Sequence, residues 1–90
     1  MEQVNSMARV VNKYKEKYDI YIGRSSYWGN PFIIGPDGTR EEVIELYRQY
    51  IEARPYMIEK AKKELRGKVL GCYCKPKACH GDVLLEIANG

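Results

Sequence analysis

The spacing of apolar positions along this chain switches between the period of a strand and the period of a helix. "RVVN" at residues 9–12 is a short β-branched run, and "KYKEK" after it is a charged turn. In "YDIYIG", Ile20 and Ile22 fall on one face with Tyr21 on the other, which predicts a second strand over residues 18–23, ended by Gly23. From Thr39 onward the period lengthens. Val43, Tyr47, Tyr50 and Ile51 recur at helical spacing, Thr39 is a good N-cap, and Glu41 and Glu42 sit where a helix dipole favours negative charge. Pro55 interrupts that helix and opens another, in which Ile58, Ala61 and Leu65 form the apolar stripe before Gly67 stops it. "KVLGCYC" at residues 68–74 has the form of a buried strand. A last helix over residues 80–88 turns Val83, Leu84, Ile87 and Ala88 inward.

The predicted order is strand, strand, helix, helix, strand, helix. A strand that returns to its sheet through helices runs parallel to the one it left. The strands over 18–23 and 68–74 should therefore end on the same edge of the sheet, and the loops that follow them should meet above it, where open α/β sheets bind ligands. The expected fold class is α/β: a small Rossmann-like domain in two or three layers, with about three strands in a partly parallel sheet and three helices. Residues 1–90 form one domain, and residues 1–7 read as a loose leader.

Composition narrows the partners. The chain is 44% hydrophobic and 30% charged, as expected for one globular domain with one modest core. A net charge of +3 favours a local anion site over the broad basic surface of a dedicated nucleic-acid binder. Lys13, Lys15 and Lys17 beside Tyr14 and Tyr18 are explained by a solvated hairpin turn, with nucleic acid as the weaker alternative partner. No membrane-length apolar stretch is present, no membrane partner is expected, and the location expected is the cytoplasm. Three cysteines within eight residues suggest reduced thiols rather than a disulfide framework.

Two clusters carry the candidate chemistry. In "GRSSYWGNPF", Gly23 permits a close backbone approach, Arg24 presents a fork for phosphate or carboxylate, and Ser25 and Ser26 add hydroxyls. Trp28 or Tyr27 offers a flat face to a base, although Trp28 also suits the core, and Asn30 has the paired donor and acceptor that read a base or ribose edge. "GCYCKPKACHGD" holds every cysteine and the single histidine. Cys79, His80, Gly81 and Asp82 fall at the start of the last helix, where free N–H groups attract an anion or stabilise a thiolate. His80 could shuttle a proton there, and Lys75 and Lys77 would strengthen the positive field. Zinc would take Cys72, Cys74, Cys79 and His80, yet one intervening residue in the first pair and none in the second depart from familiar ligand spacing. Cys72 reads more simply as a core residue. No metal or cofactor is expected, and no Walker loop, carboxylate pair or Ser-His-Asp arrangement occurs.

Taken together, "YIGR" at 21–24, "WGNPF" at 28–32, "DGTREE" at 37–42, and "CYC" at 72–74 with "CHGDVL" at 79–84 resemble a family of short bacterial and phage proteins known as domain of unknown function 4326. The resemblance spans residues 9–89 and implies no particular activity. From the residues themselves the expected function is binding, with or without processing, of a nucleotide or nucleotide-derived small molecule. Arg24 and the helix start at Cys79 to Gly81 would hold its phosphate. As an enzyme it would hydrolyse or transfer at a phosphate or glycosidic bond, with His80 as acid/base and Cys79 as nucleophile or anion holder. As a pure binder it would be a phage-type trap for a signalling nucleotide. A zinc-stabilised nucleic-acid or protein adaptor is the third reading.

Overall fold

The computed structural model describes residues 8–75 and 77–90. The leader expected over residues 1–7 lies outside the described residues. Three strands, β1 (Arg9–Asn12), β2 (Ile20–Tyr21) and β3 (Val69–Cys72), and three helices, α1 (Arg40–Glu52), α2 (Pro55–Glu64) and α3 (His80–Asn89), follow in the order β1, β2, α1, α2, β3, α3. The last strand lies in the middle of the sheet, with order β1-β3-β2. Both of its pairings are parallel: Arg9 to Asn12 lie opposite Val69 to Cys72, and Ile20 and Tyr21 lie opposite Leu70 and Gly71. The sheet is thus parallel throughout, and the second and third strands are shorter than the apolar runs suggested.

The hairpin expected at residues 13–17 does not form, because β1 and β2 never pair; β3 stands between them. Residues 13–19 instead cross the face of the sheet. Lys13 N–H donates to the Cys72 carbonyl at 2.7 Å as the chain leaves β1, and Asp19 N–H donates to the Val69 carbonyl at 2.8 Å as it approaches β2. In between, the Tyr18 ring lies flat on Gly71, where an added Cβ would meet the ring at 2.6 Å. Only glycine lets the middle strand carry this crossing.

Strand alternation divides the two faces. Leu70, Cys72 and Ile22 turn to the helices and join Tyr47, Ile51, Ala61, Leu65, Val83, Leu84 and Ala88 in one core, while Gly71 turns to Tyr18 on the opposite face. The result is two layers, with helices on one side of the sheet and the crossing segment on the other. The helix boundaries follow from local chemistry. Thr39 Oγ1 accepts from Glu42 N–H at 3.2 Å, and Glu42 Oε1 accepts from Thr39 N–H at 2.8 Å, a reciprocal capping box that starts α1. Pro55 occupies the first turn of α2, and Gly67, at φ 71°, lets the chain turn back into β3. Among the described residues no helix is long and apolar enough to cross a membrane.

Candidate functional site

Since β2 and β3 run parallel, the segments that leave them emerge at the same sheet edge. They meet there in a small half-open cleft with a cavity of about 110 Å³, lined among others by Gly23, Arg24 and Asn30 from the first loop and Cys72, Tyr73, Cys74, Cys79 and His80 from the second. The loop before α1 and the first turns of α1 close the remaining side with Phe32, Ile34, Arg40 and Ile44.

The first loop is built from nested turns. Ser26 N–H and Oγ both donate to the Gly23 carbonyl, at 3.0 and 2.6 Å, and Gly29 N–H donates to the Ser26 carbonyl at 3.1 Å. Ser25 holds φ 77° at the exposed tip. These serines shape the loop and do not line the cleft. Gly29 is the tight point: a Cβ there would lie 2.8 Å from the Gly23 carbonyl oxygen and 3.2 Å from Arg24 Cα, both main-chain atoms that cannot rotate aside. Gly29→Ala is therefore expected to cost about 1–3 kcal/mol of stability, the usual range for forced overpacking. A urea unfolding curve measures this, and an unchanged midpoint would show that the two turns can separate.

Trp28 is only 4% exposed and belongs to the core, and its carbonyl accepts a 2.7 Å hydrogen bond from the Tyr47 hydroxyl. Burial holds that phenol well above its usual ionisation range. Tyr27 is exposed, meets Trp28 edge-on at 4.9 Å and lies beneath Lys60, away from the cleft lining. The aromatic side chains among the cleft-lining residues are instead Phe32 and Tyr73, the latter also packed against Tyr14 and Tyr21. Asn30 reaches the cleft, but its Nδ2 donates to the Val43 carbonyl at 3.1 Å and its Oδ1 accepts from Phe32 N–H at 2.9 Å. Its amide ties the loop to α1, so both the donor and the acceptor expected to read a base edge already have partners.

The second loop departs from expectation in a similar way. Gly81 N–H, which should have been free for a phosphate, donates to Cys79 Sγ at 3.3 Å. Asp82 accepts from Cys79 N–H at 3.2 Å and pairs with Lys75 Nζ at 2.7 Å, completing the α3 cap outside the cleft. His80 is 7% exposed and its Nε2 lies 2.6 Å from the Ile22 carbonyl. A carbonyl only accepts, so that nitrogen carries the hydrogen, and the imidazole ties α3 to the end of β2. Burial pushes its pKa down, outweighing the bond to Ile22 and the charge of Asp82; Arg24 pushes the same way as burial. The ring also meets Tyr47 edge-on at 5.0 Å.

The three sulfurs converge. Cys72 Sγ lies 3.3 Å from Cys79 Sγ, and the sulfurs of Cys72, Cys74 and Cys79 all lie within 4.8 Å of one another. Cys72 is buried, as expected, yet it also forms part of the cleft wall. A hydrogen bond from Cys79 pushes the Cys72 thiol down to about 6, helped by backbone N–H groups of Lys75 and Cys74, while Cys79 is pushed up because its proton is held against that sulfur. His80, the fourth ligand of the expected zinc set, is not among the converging donors.

The sequence reading missed Arg40. It lines the cleft, and one guanidinium nitrogen donates to the Ala78 carbonyl at 3.1 Å. Its position carried a signal: a cation in the first turn of a helix opposes the dipole, so something other than helix stability accounts for it. Tyr73 was missed for the opposite reason: strand alternation turns it away from the face shared by Cys72 and Cys74, and its ring packs beside Tyr14 and Tyr21 at the rim of the cleft. Neither Arg24 nor Arg40 forms an ion pair among the described residues.

The sequence has relatives among known proteins. The family described as Domain of unknown function (DUF4326) matches residues 5–90. The chain is 48% identical over 90 residues to an uncharacterized 12.4 kDa protein in the nrdA-td intergenic region of Enterobacteria phage T4, covering 96% of this chain and 82% of that protein. It is 32% identical over 94 residues to an uncharacterized protein of Acanthamoeba polyphaga mimivirus, covering 84% of this chain and 71% of the other. No solved structure matches it.

Proposed function

This chain belongs to the family described as Domain of unknown function (DUF4326), and from the chemistry of its cleft we propose that it binds a nucleotide or nucleotide-derived small molecule through an anionic phosphate. One observation carries the reading: Arg24, from the loop after β2, and Arg40, from the first turn of α1, face the same cleft without carboxylate partners among the described residues. Two guanidinium forks on separate elements suit an anion with several oxygens, and hydrogen bonds to charged groups contribute about 1.5–3 kcal/mol each. Phe32, Ile34 and Tyr73 supply an apolar and aromatic wall against which a base can lie. The position at the carboxyl end of parallel strands is where such ligands bind in open α/β sheets.

Binding without turnover is favoured over catalysis. His80 spends its Nε2 hydrogen on Ile22 and is held neutral by burial, and the Cys79 sulfur is engaged by Gly81 N–H and Cys72. A cleft whose thiols stay reduced suits the cytoplasm. Isothermal calorimetry with nucleoside mono-, di- and triphosphates tests the reading. One ligand per chain, recovered unchanged, is expected, with a thermal stabilisation equivalent to about 2.7 kcal/mol at a hundredfold excess over Kd. Absence of heat and of thermal shift for every phosphorylated ligand at millimolar concentration would overturn it, and consumption of the ligand would replace binding by catalysis.

A further inference from the structure

The Cys72, Cys74 and Cys79 sulfurs approach from three directions that the local structure prescribes. Cys72 ends β3, Cys74 lies two residues on and so returns to the same side, and Cys79 is the N-cap of α3. The loop between them is drawn tight by hydrogen bonds to its backbone. Asn12 Nδ2 donates to the carbonyls of Tyr73 and Lys75, at 3.3 and 2.8 Å, and Lys77 N–H donates to the Cys74 carbonyl at 2.7 Å. None of the three is in a disulfide.

We propose that Cys72, Cys74 and Cys79 form a three-sulfur site for one thiophilic cation of the zinc class, leaving the fourth coordination position open towards the cleft. A zinc–sulfur bond of about 2.3 Å in tetrahedral geometry sets sulfurs about 3.8 Å apart. The present distances bracket that value, from 3.3 Å between Cys72 and Cys79 to an upper limit of 4.8 Å for the group. Closing the widest pair by at most about 1 Å, shared between two side-chain rotations, brings all three to bonding distance. Each sulfur exchanges its S–H bond for a bond to the cation, so up to three protons pass to the solvent on binding. Three thiolates and a divalent ion leave one net negative charge, which the N-terminus of α3 and the Lys75 ammonium help to offset. The fourth donor must come from outside the protein, since His80 faces Ile22 and no further metal-ligating residue joins the cluster among the described residues. All three cysteines line the cleft, so that position is open to water or to a donor atom of a bound molecule.

The test uses the full chain, reduced and stripped with a chelator, with no nucleotide present, so that its outcome is separate from that of the nucleotide reading. Zinc is titrated in competition with a chromophoric chelator, and cobalt(II) is added to a second sample. One zinc per chain is expected, together with a sulfur-to-cobalt charge-transfer band. Cys74→Ser removes a half-buried sulfur outside the core and should weaken zinc binding at least tenfold and reduce that band. His80→Asn, checked for native circular dichroism, should keep both. No charge-transfer band from a sample with three titratable thiols would overturn the proposal, and so would a Cys74→Ser variant with unchanged affinity. A folded His80→Asn variant that loses the metal would overturn the sulfur-only ligand set.

Discussion

Replacing Arg24 and Arg40 together by alanine should lower affinity for a nucleoside diphosphate about a hundredfold or more while leaving the fold intact. Each guanidinium contributes about 1.5–3 kcal/mol if it meets a phosphate oxygen, which is roughly ten- to a hundred-and-fifty-fold apiece. The two losses need not add fully, because both side chains would grip one group. Stability should change little. Arg24 is exposed, and Arg40 forfeits only its exposed bond to the Ala78 carbonyl. The check is calorimetry on the double variant beside the two single ones, with thermal unfolding as the fold control. A double variant that binds as tightly as the parent would remove the arginines from the site. Substituting lysine should recover only part of the loss, because an ammonium keeps the charge but not the planar fork.

His80→Ala carries the largest expected cost in stability, about 2–4 kcal/mol. The substitution leaves the Ile22 carbonyl without its partner and opens a space beside Tyr47, in a chain whose total stability is expected to be only about 5–15 kcal/mol. Had His80 been an exposed acid/base group, the same change would have removed activity and spared the fold. Urea denaturation distinguishes the two, and a midpoint within experimental error of the parent's would show that the tether to β2 contributes nothing.

The same burial makes stability sensitive to acid. The folded chain keeps the neutral imidazole, so the pKa of His80 in the fold lies below that of the unfolded chain, near 6.5. Between those two values the unfolded state binds the extra proton. The contribution is therefore complete above about pH 6.5, declines as the pH falls below it, and levels off only beneath the folded pKa, with a slope of at most about 1.4 kcal/mol per pH unit. The Cys72 thiol has its own window, between the ordinary value of 9.0 and about 6, with the same sign, whereas Cys79, pushed up, acts in the opposite sense above the ordinary thiol range. Because the chain has a single histidine, comparing the pH profile of a folded His80→Asn variant with the parent's isolates the lower window. Identical profiles below pH 6 would contradict the assignment.

Much of the architecture was legible in the chain because it depends on local rules. Thr39, Pro55 and Gly67 set helix boundaries through groups adjacent in sequence, and the apolar stripes through Val43, Tyr47 and Ile51 or Val83, Leu84 and Ala88 follow from one helical period. The hairpin was misjudged for a non-local reason. Nothing near residues 13–17 reveals that β3, more than fifty residues later, inserts between β1 and β2. The roles of Trp28 and Asn30 were equally hidden, since an indole or an amide in a loop can serve a ligand or the fold. The deciding contacts, Tyr47 against the Trp28 carbonyl and the Val43 carbonyl against Asn30, come from α1.

What the sequence determined by itself was the kind of domain, the order of its elements, and that the loops after two parallel strands would open at one sheet edge. Those follow from periodicity and chain connectivity, which are properties of neighbours. Tertiary structure alone decided which polar groups there remain available. It bound the histidine and the asparagine to backbone carbonyls, gathered three sulfurs, and turned Arg40 into the cleft that Arg24 also lines. A buried donor or acceptor takes whatever partner the fold brings within about 3 Å, and which partner that is depends on packing between segments remote in sequence.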